Sequence, residues 1–290
     1  MDFKERLKGC LVCGAIGDSL GGKYEGSGPH DVIDFDFDWK ISDDTQLTLA
    51  TCEAIYNTSK VNSEKVAKRF LEWFNKRKLS GLGSSTLMAM QGLQAGGHWA
   101  LVGRSGEFAA GNGAAMRISP LAFKKNMDKL TIKDVCSITH KNDEAYVGAL
   151  SIYYAIKSAI DGSWIGDMDL IGQILKKLPD TRVRDRFIEL EELKNYSISE
   201  IGKKNKPQGF VVDSIPIAVF AAQKINQFDF KTIITELIKL GGDTDTICSM
   251  TGQIIGALKG PQMVPREWME QFNDMEAKNL IEIIVSSWQG

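Results

Sequence analysis

Two short acidic segments carry the residues best suited to chemistry. "SDDT", Ser42 to Thr45, and "GGDTDT", Gly241 to Thr246, each set two aspartates among hydroxyls, just ahead of small apolar residues. Either segment alone reads as the start of a helix. Serine, threonine and aspartate accept the free backbone N–H groups there, and carboxylates in the first turn complement the helix dipole. A cap needs one oxygen, however, and the two segments together offer Asp43, Asp44, Asp243 and Asp245 besides their hydroxyls. Carboxylates brought within a few ångströms of one another must take up protons or share a cation. Oxygen donors suit a hard ion, Mg²⁺, Mn²⁺ or Ca²⁺, rather than zinc. Four carboxylates are enough for two such ions. Most of the chain separates the segments, so spacing alone does not say that they meet.

Other residues form weaker candidates. Gly81 and Gly83 in "GLGSS", and Gly111 and Gly113 in "GNGAAMR", are either ordinary turns or points where backbone amides approach a phosphate. Arg117, closing the second motif, is a phosphate partner or half of a structural ion pair. In "GDSLGGKYEG", Asp18 near the end of an apolar helix reads as a capping acid. Glu25 on the loop after it is a solvated carboxylate or a base. His30, His98 and His140 do not cluster, and His140 ends a helix, where a cation is favoured. Cys10 and Cys13 form a C-x-x-C with no second Cys or His pair nearby to complete a zinc site. The five cysteines are an odd, scattered set, against a disulfide framework, and read as small buried residues.

Helical spacing dominates the elements that must position these groups. "LKGCLVCGAIGDSL", residues 7–20, reads as a buried helix ending in the Gly21–Gly22 turn. "SDDTQLTLATCEAIYN" and "SEKVAKRFLEWFNKRK" follow with apolar residues at helical spacing. "TIKDVCSITH" opens on Thr131 as N-cap, and "DEAYVGALSIYYAIKSAI" is long and apolar enough to be central. Helices from "VVDSIPIAVFAAQKI" to "KNLIEIIVSSWQ" complete about ten in all, so the expected class is all-α. One stretch departs from this. In "DVIDFDFDWKI", residues 31–41, Ile33, Phe35, Phe37, Trp39 and Ile41 alternate with polar residues, the period of a strand with one dry face or of a lone extended segment. Residues 178–209 are the most polar part and read as an exposed helix and loop.

Composition narrows the function classes. The 290 residues are 43% hydrophobic and 25% charged, enough to bury a large core. A net charge of −2 gives no bulk attraction to nucleic acid or an anionic membrane. No apolar run approaches the roughly 18 residues of a membrane span, and the charged start "MDFKERLKGC" lacks a signal-peptide core. A cytoplasmic monomer is expected.

Taken in order, these segments resemble the ADP-ribosylglycohydrolase family, which includes dinitrogenase reductase-activating glycohydrolases and ADP-ribosylarginine and ADP-ribosylserine hydrolases. The resemblance rests on "GCLVCGAIGDSLGGKYEG", "SDDTQLTLA", "SGLGSSTLMAM", "GNGAAMRISPLA", "SITHKNDEAYVGAL", "VVDSIPIAVFAA" and "GGDTDTICSMTGQIIGALKG". These run from residue 9 to 260, and the two acidic motifs with GNGAAMR are a specific combination. The family implies one domain over residues 1–290, a compact orthogonal helical bundle with a binuclear metal site. It implies two Mg²⁺ or Mn²⁺ ions held by Ser42, Asp43, Asp44, Asp243, Asp245 and Thr246. It also implies cleavage of the N- or O-glycosidic bond between ADP-ribose and a protein side chain, arginine favoured over serine. Asp43 or Asp44 would orient or deprotonate water, and Glu25 matches a movable acid over the metals. Gly83, Ser84, Gly111, Asn112, Gly113, Met116 and His140 would line the substrate site. The implied partner is an ADP-ribosylated protein or a small molecule containing ADP-ribose.

Two rival classes stand beside this. A metal-dependent phosphohydrolase also uses an acidic two-ion cage. A non-catalytic module could bind ADP-ribose or a transferase, and lost metal ligands would be its mark. All six implied ligands are present here.

Overall fold

The computed structural model describes residues 1–204 and 206–289, and its described residues fold into sixteen α-helices with one minimal sheet. In chain order the helices are α1 (Phe3–Gly22), α2 (Asp43–Ile55), α3 (Ser63–Asn75), α4 (Ser84–Gln94), α5 (Trp99–Val102), α6 (Ser119–Ala122), α7 (Lys129–Ser137) and α8 (Asp143–Asp161). There follow α9 (Leu170–Leu175), α10 (Arg182–Glu192), α11 (Ile198–Lys204), α12 (Val211–Ala222), α13 (Phe230–Lys239), α14 (Thr244–Lys259), α15 (Arg266–Asn273) and α16 (Glu276–Ser287). Two two-residue strands, β1 (Arg104–Ser105) and β2 (His140–Lys141), pair in parallel with Arg104 opposite His140. The fold is all-α, and no helix among the described residues is long and apolar enough to cross a membrane.

The core is built on α1 and α14, which are buried all round over most of their length. They pack antiparallel along matching rows of small residues, four apart, as ridges of that spacing allow. Gly9, Cys13, Gly17 and Gly21 of α1 meet Gly256, Gly252, Cys248 and Thr244 of α14. The backbones touch. A Cβ on Gly17 would lie 2.3 Å from the Cys248 carbonyl oxygen, and one on Gly252 2.2 Å from that of Cys13. Cys10 and Cys13 are buried thiols within α1. The Gly21–Gly22 pair does not end α1 in a turn but forms its last residues, because Gly21 is where Thr244 crosses.

Three further expectations change on folding. Residues 31–41 form no strand. The alternation does put one face inward, with the Phe35 ring 5.1 Å from that of Trp268 and tilted by 57°, but no neighbouring strand among the described residues supplies a ladder. The segment is instead tied at Asp34, whose N–H donates to the Tyr24 hydroxyl at 2.7 Å. Thr131 is not the cap of α7; Asp128 is, accepting the Thr131 N–H at 2.7 Å. The described part of 178–209 holds two helices, α10 and α11, and its last residues turn inward to the site described next.

Candidate functional site

The two acidic motifs meet. Thr246 Oγ1, in the first turn of α14, donates to Asp44 Oδ2 of α2 at 3.1 Å. Each motif sits at a helix start, but capping is done largely by other groups. Ser42 caps α2 by accepting the Asp44 N–H at 3.2 Å. Asp18, wholly buried in α1, reaches across and accepts the N–H groups of Ser42 at 3.0 Å and Thr45 at 3.1 Å. Asp18 is a capping acid, as its position suggested, but for a helix other than its own. Asp243 occupies the N-cap position of α14 yet makes no cap bond. Its Oδ2 instead accepts from Asn112 Nδ2 at 2.6 Å. Asp43, Asp44 and Asp243 are therefore spared most of the local work that would explain them away.

Glu25 completes the cluster. Oxygens of Glu25, Asp243 and Asp245 lie within 4.8 Å of one another. The Glu25 loop is fastened to the second motif by Gly26 N–H donating to Gly242 O at 2.8 Å and Gly242 N–H to Ser27 O at 3.0 Å. Above the acids opens a cleft of about 520 Å³, and none of the described residues lining it is lysine or arginine. Burial, then the neighbouring charges, pushes Asp43 up to about 8 and Asp245 up to about 10. Burial likewise raises Asp18 to about 6 and pushes Asp44 well above the carboxylate range, with Asp245 the next cause. Glu25 is raised by burial and by Asp243. Asp44 Oδ1 is buried with no hydrogen-bond partner. Clustered oxygens, an orphaned buried carboxylate atom and no cationic side chain fit a divalent hard ion.

This cluster sets a pH dependence. A carboxyl whose pKa is raised on folding keeps a proton that the unfolded chain gives up, so the fold loses stability as pH rises above about 4 toward the folded value. The melting temperature in EDTA is therefore expected to fall from pH 5 to pH 9, and excess Mg²⁺ to restore it most at the alkaline end. Thermal scans at three pH values check this; a melting temperature in EDTA that climbs over that range would contradict the cluster's protonation.

Of the residues the family resemblance implies for the site, all except Ser42 stand on the wall of this cleft; Asp18, His30, His98 and Arg117 do not. Ser42 lies behind Asp44, to whose Oδ2 it donates at 3.3 Å. Gly83 is the N-cap of α4 and lacks a side chain to cap it, so the amides of Ser84, Ser85 and Thr86 open onto the cleft. Gly111 caps a tight 3₁₀ turn beside them, Asn112–Ala114, which includes Gly113. Met116 contributes its wall position while its carbonyl accepts from Gln253 at 2.9 Å. His140 stands in β2, not as a cation capping α7. Burial, then Arg117 and Arg104, pushes its pKa down to about 3, so the ring is neutral. Arg117 is neither a phosphate partner nor half of an ion pair with a carboxylate; it is wholly buried behind the wall, donating to Thr139 Oγ1 and Val135 O. Gln208, Gly209 and Phe210 were missed, since nothing in a polar stretch marks its end as a wall. Phe108, also missed, lines the cleft with 81% of its surface exposed. A wider groove of about 1100 Å³ between residues 37–41 and α16 includes Lys40, Arg77 and Lys78 and gathers neither acidic motif.

Residues 1–289 match the family described as ADP-ribosylglycohydrolase. The chain belongs to the ADP-ribosylglycohydrolase family. It is thereby a glycosyl hydrolase, and residues of its two acidic motifs line the 520 Å³ cleft. Among its relatives is the ADP-ribosylarginine hydrolase Tri1 of Pseudomonas putida, 25% identical over 92% of this chain and 74% of that protein. The ADP-ribosylhydrolase ARH3 of Gallus gallus is 24% identical over 91% of this chain and 88% of its own length. A solved structure titled "ADP-ribosylglycohydrolase-related protein complex" superposes with a TM-score of 0.72 at 21% identity, covering 98% of this chain and 97% of that one, a likeness of fold.

Proposed function

We propose that this ADP-ribosylglycohydrolase hydrolyses the bond between ADP-ribose and a protein side chain, with arginine preferred to serine, and depends on two Mg²⁺ or Mn²⁺ ions. The observation that carries the reading is the contact of Thr246 with Asp44, which joins the two acidic motifs beneath a cleft without a basic side chain. Ser42, Asp43, Asp44, Asp243, Asp245 and Thr246 would hold the ions, with Glu25 at their exposed side. Bound there, they would supply positive charge for ribose hydroxyls and lower the pKa of water. Asp43 or Asp44 orients the attacking water and takes its proton. The water oxygen bonds to the anomeric carbon, the carbon–nitrogen bond breaks, and its electron pair leaves on the guanidine, which is then protonated. Carboxylates nearby favour the positive charge that develops on the ribose.

Among the described residues lining this cleft there is no lysine or arginine for the diphosphate to meet. Backbone amides take that part, from Gly83, Ser84, Gly111 and Gly113, while Asn112, whose own N–H is given to Gly209 O at 3.0 Å, lines the site beside them. Met116 and His140 complete the wall. An acidic cleft also suits a guanidinium better than a neutral hydroxyl, and Tri1 is by name an ADP-ribosylarginine hydrolase. The expected result is release of free ADP-ribose from a peptide modified on arginine, faster than from one modified on serine, with Mg²⁺ and not with EDTA. Binding of ADP-ribose with no release from either peptide would favour a non-catalytic module, and cleavage of phosphate esters alone a phosphohydrolase.

A further inference from the structure

Behind the cleft wall runs a buried polar chain that ends at His140. Arg117 Nη2 donates to Thr139 Oγ1 at 2.7 Å, and Thr139 Oγ1 lies 2.8 Å from His140 Nδ1. Arg117 and Thr139 are both wholly buried. An arginine can only donate, so the threonine oxygen is the acceptor of the first bond. Its single hydrogen then has one acceptor among the described residues, His140 Nδ1. The reverse arrangement, with a hydrogen on Nδ1, would leave the threonine hydrogen buried with no acceptor, an outcome that dry interiors avoid. The other ring nitrogen, Nε2, has no hydrogen-bond partner among the described residues, and the ring lines the cleft.

We infer that Arg117 and Thr139 are positioning residues that hold His140 as the neutral Nε2–H tautomer, so that the cleft offers one fixed N–H donor to an oxygen of ADP-ribose. The inference rests on the cleft being the ADP-ribose site. Two glycines keep that nitrogen accessible: a Cβ on Gly111 would lie 3.2 Å from Nε2, and one on Gly113 2.9 Å from Cε1. The cost of Arg117 points the same way. Its Nε and Nη1 are buried without hydrogen-bond partners, and besides Thr139 it has the Val135 carbonyl at 3.3 Å and the face of Phe70 at 4.7 Å. A buried cation without a carboxylate is expensive. A plain packing role for the Thr139–His140 contact would not need one, whereas a donor that cannot reverse calls for a side chain without acceptors, such as arginine. A neutral donor also avoids repelling divalent ions held by the acids below.

Nitrogen NMR of the ¹⁵N-labelled, ligand-free protein reads the tautomer directly, and only three histidines need assignment. The expected spectrum has His140 protonated at Nε2 and bare at Nδ1. Thr139→Ser should keep this pattern and bind ADP-ribose within about twofold of wild type. Thr139→Val should lose the single tautomer and bind ADP-ribose about tenfold more weakly, the scale of one hydrogen bond. A wild-type ring protonated at Nδ1 overturns the inference, as does Thr139→Val with an unchanged spectrum and affinity. Should Thr139→Val fail to fold, the wild-type and Thr139→Ser spectra still decide. If the wild type shows the expected tautomer but binds no ADP-ribose, the reading of the cleft fails instead.

Discussion

Replacing Asp245 with asparagine is expected to cut release of ADP-ribose from an arginine-modified peptide on the order of 10³-fold, the scale of one preorganised charged group. The same change is expected to raise the melting temperature of the protein in EDTA at pH 8. Both results come from one cause. Burial and Asp243 push the Asp245 carboxyl up to about 10, so without an ion it is a liability to the fold. Asparagine has the same shape and no charge, which removes the liability together with a metal ligand. The gain in melting temperature on adding Mg²⁺ should shrink accordingly. Asp43→Ala should follow the same pattern, since Asp43 is buried among Asp18, Glu25 and Asp243. An aspartate with only a structural role would lose activity and stability together. Activity within tenfold of wild type for both variants would sink the two-ion reading.

Gly17→Ala is expected to lower folding stability by about 3 kcal/mol, the upper part of the range for overpacking a tight core. The added methyl would sit 2.3 Å from the Cys248 carbonyl oxygen, and backbone cannot step aside as a side-chain tip can. Gly22→Ala is the control: it stands one residue past the helix crossing, and nothing lies within 4 Å of its added Cβ. Urea titrations of the two variants check this, and equal midpoints would show that the helices can part without cost. Alanine favours helix over glycine, so propensity alone predicts the opposite sign for Gly17.

Much of the site was legible because its residues break local rules. Aspartates within runs of small apolar residues ask for an explanation, and Asp43, Asp44, Asp243 and Asp245 were found that way. The capping explanation was half right: Ser42 does cap α2, yet Asp243 caps nothing. What frees these carboxylates from capping was supplied by distant partners. Asp18 serves a helix that begins after a long intervening loop, and Asn112 engages Asp243 from the middle of the chain. The strand-like alternation of residues 31–41 was read correctly as one dry face. Whether it joins a sheet depends on a neighbour that no local pattern encodes. His140 illustrates the same limit, since its neutrality comes from burial, then from Arg117 and Arg104, not from its place after a helix.

The backbone contact between α1 and α14 also limits how the enzyme can move. Helices separated by long side chains slide by rotamer changes, but two backbones in contact have no such slack. α14 carries Asp245 and Thr246, and α1 carries Asp18, which pins the start of α2. These pieces form a rigid floor, to which the Glu25 loop is itself fastened. On the proposed function, admission of a modified protein would therefore fall to the opposite rim, residues 83–86, 107–113 and 206–210. In hydrogen exchange the floor's amides should be the last to exchange, and the rim should open many times before the floor opens once.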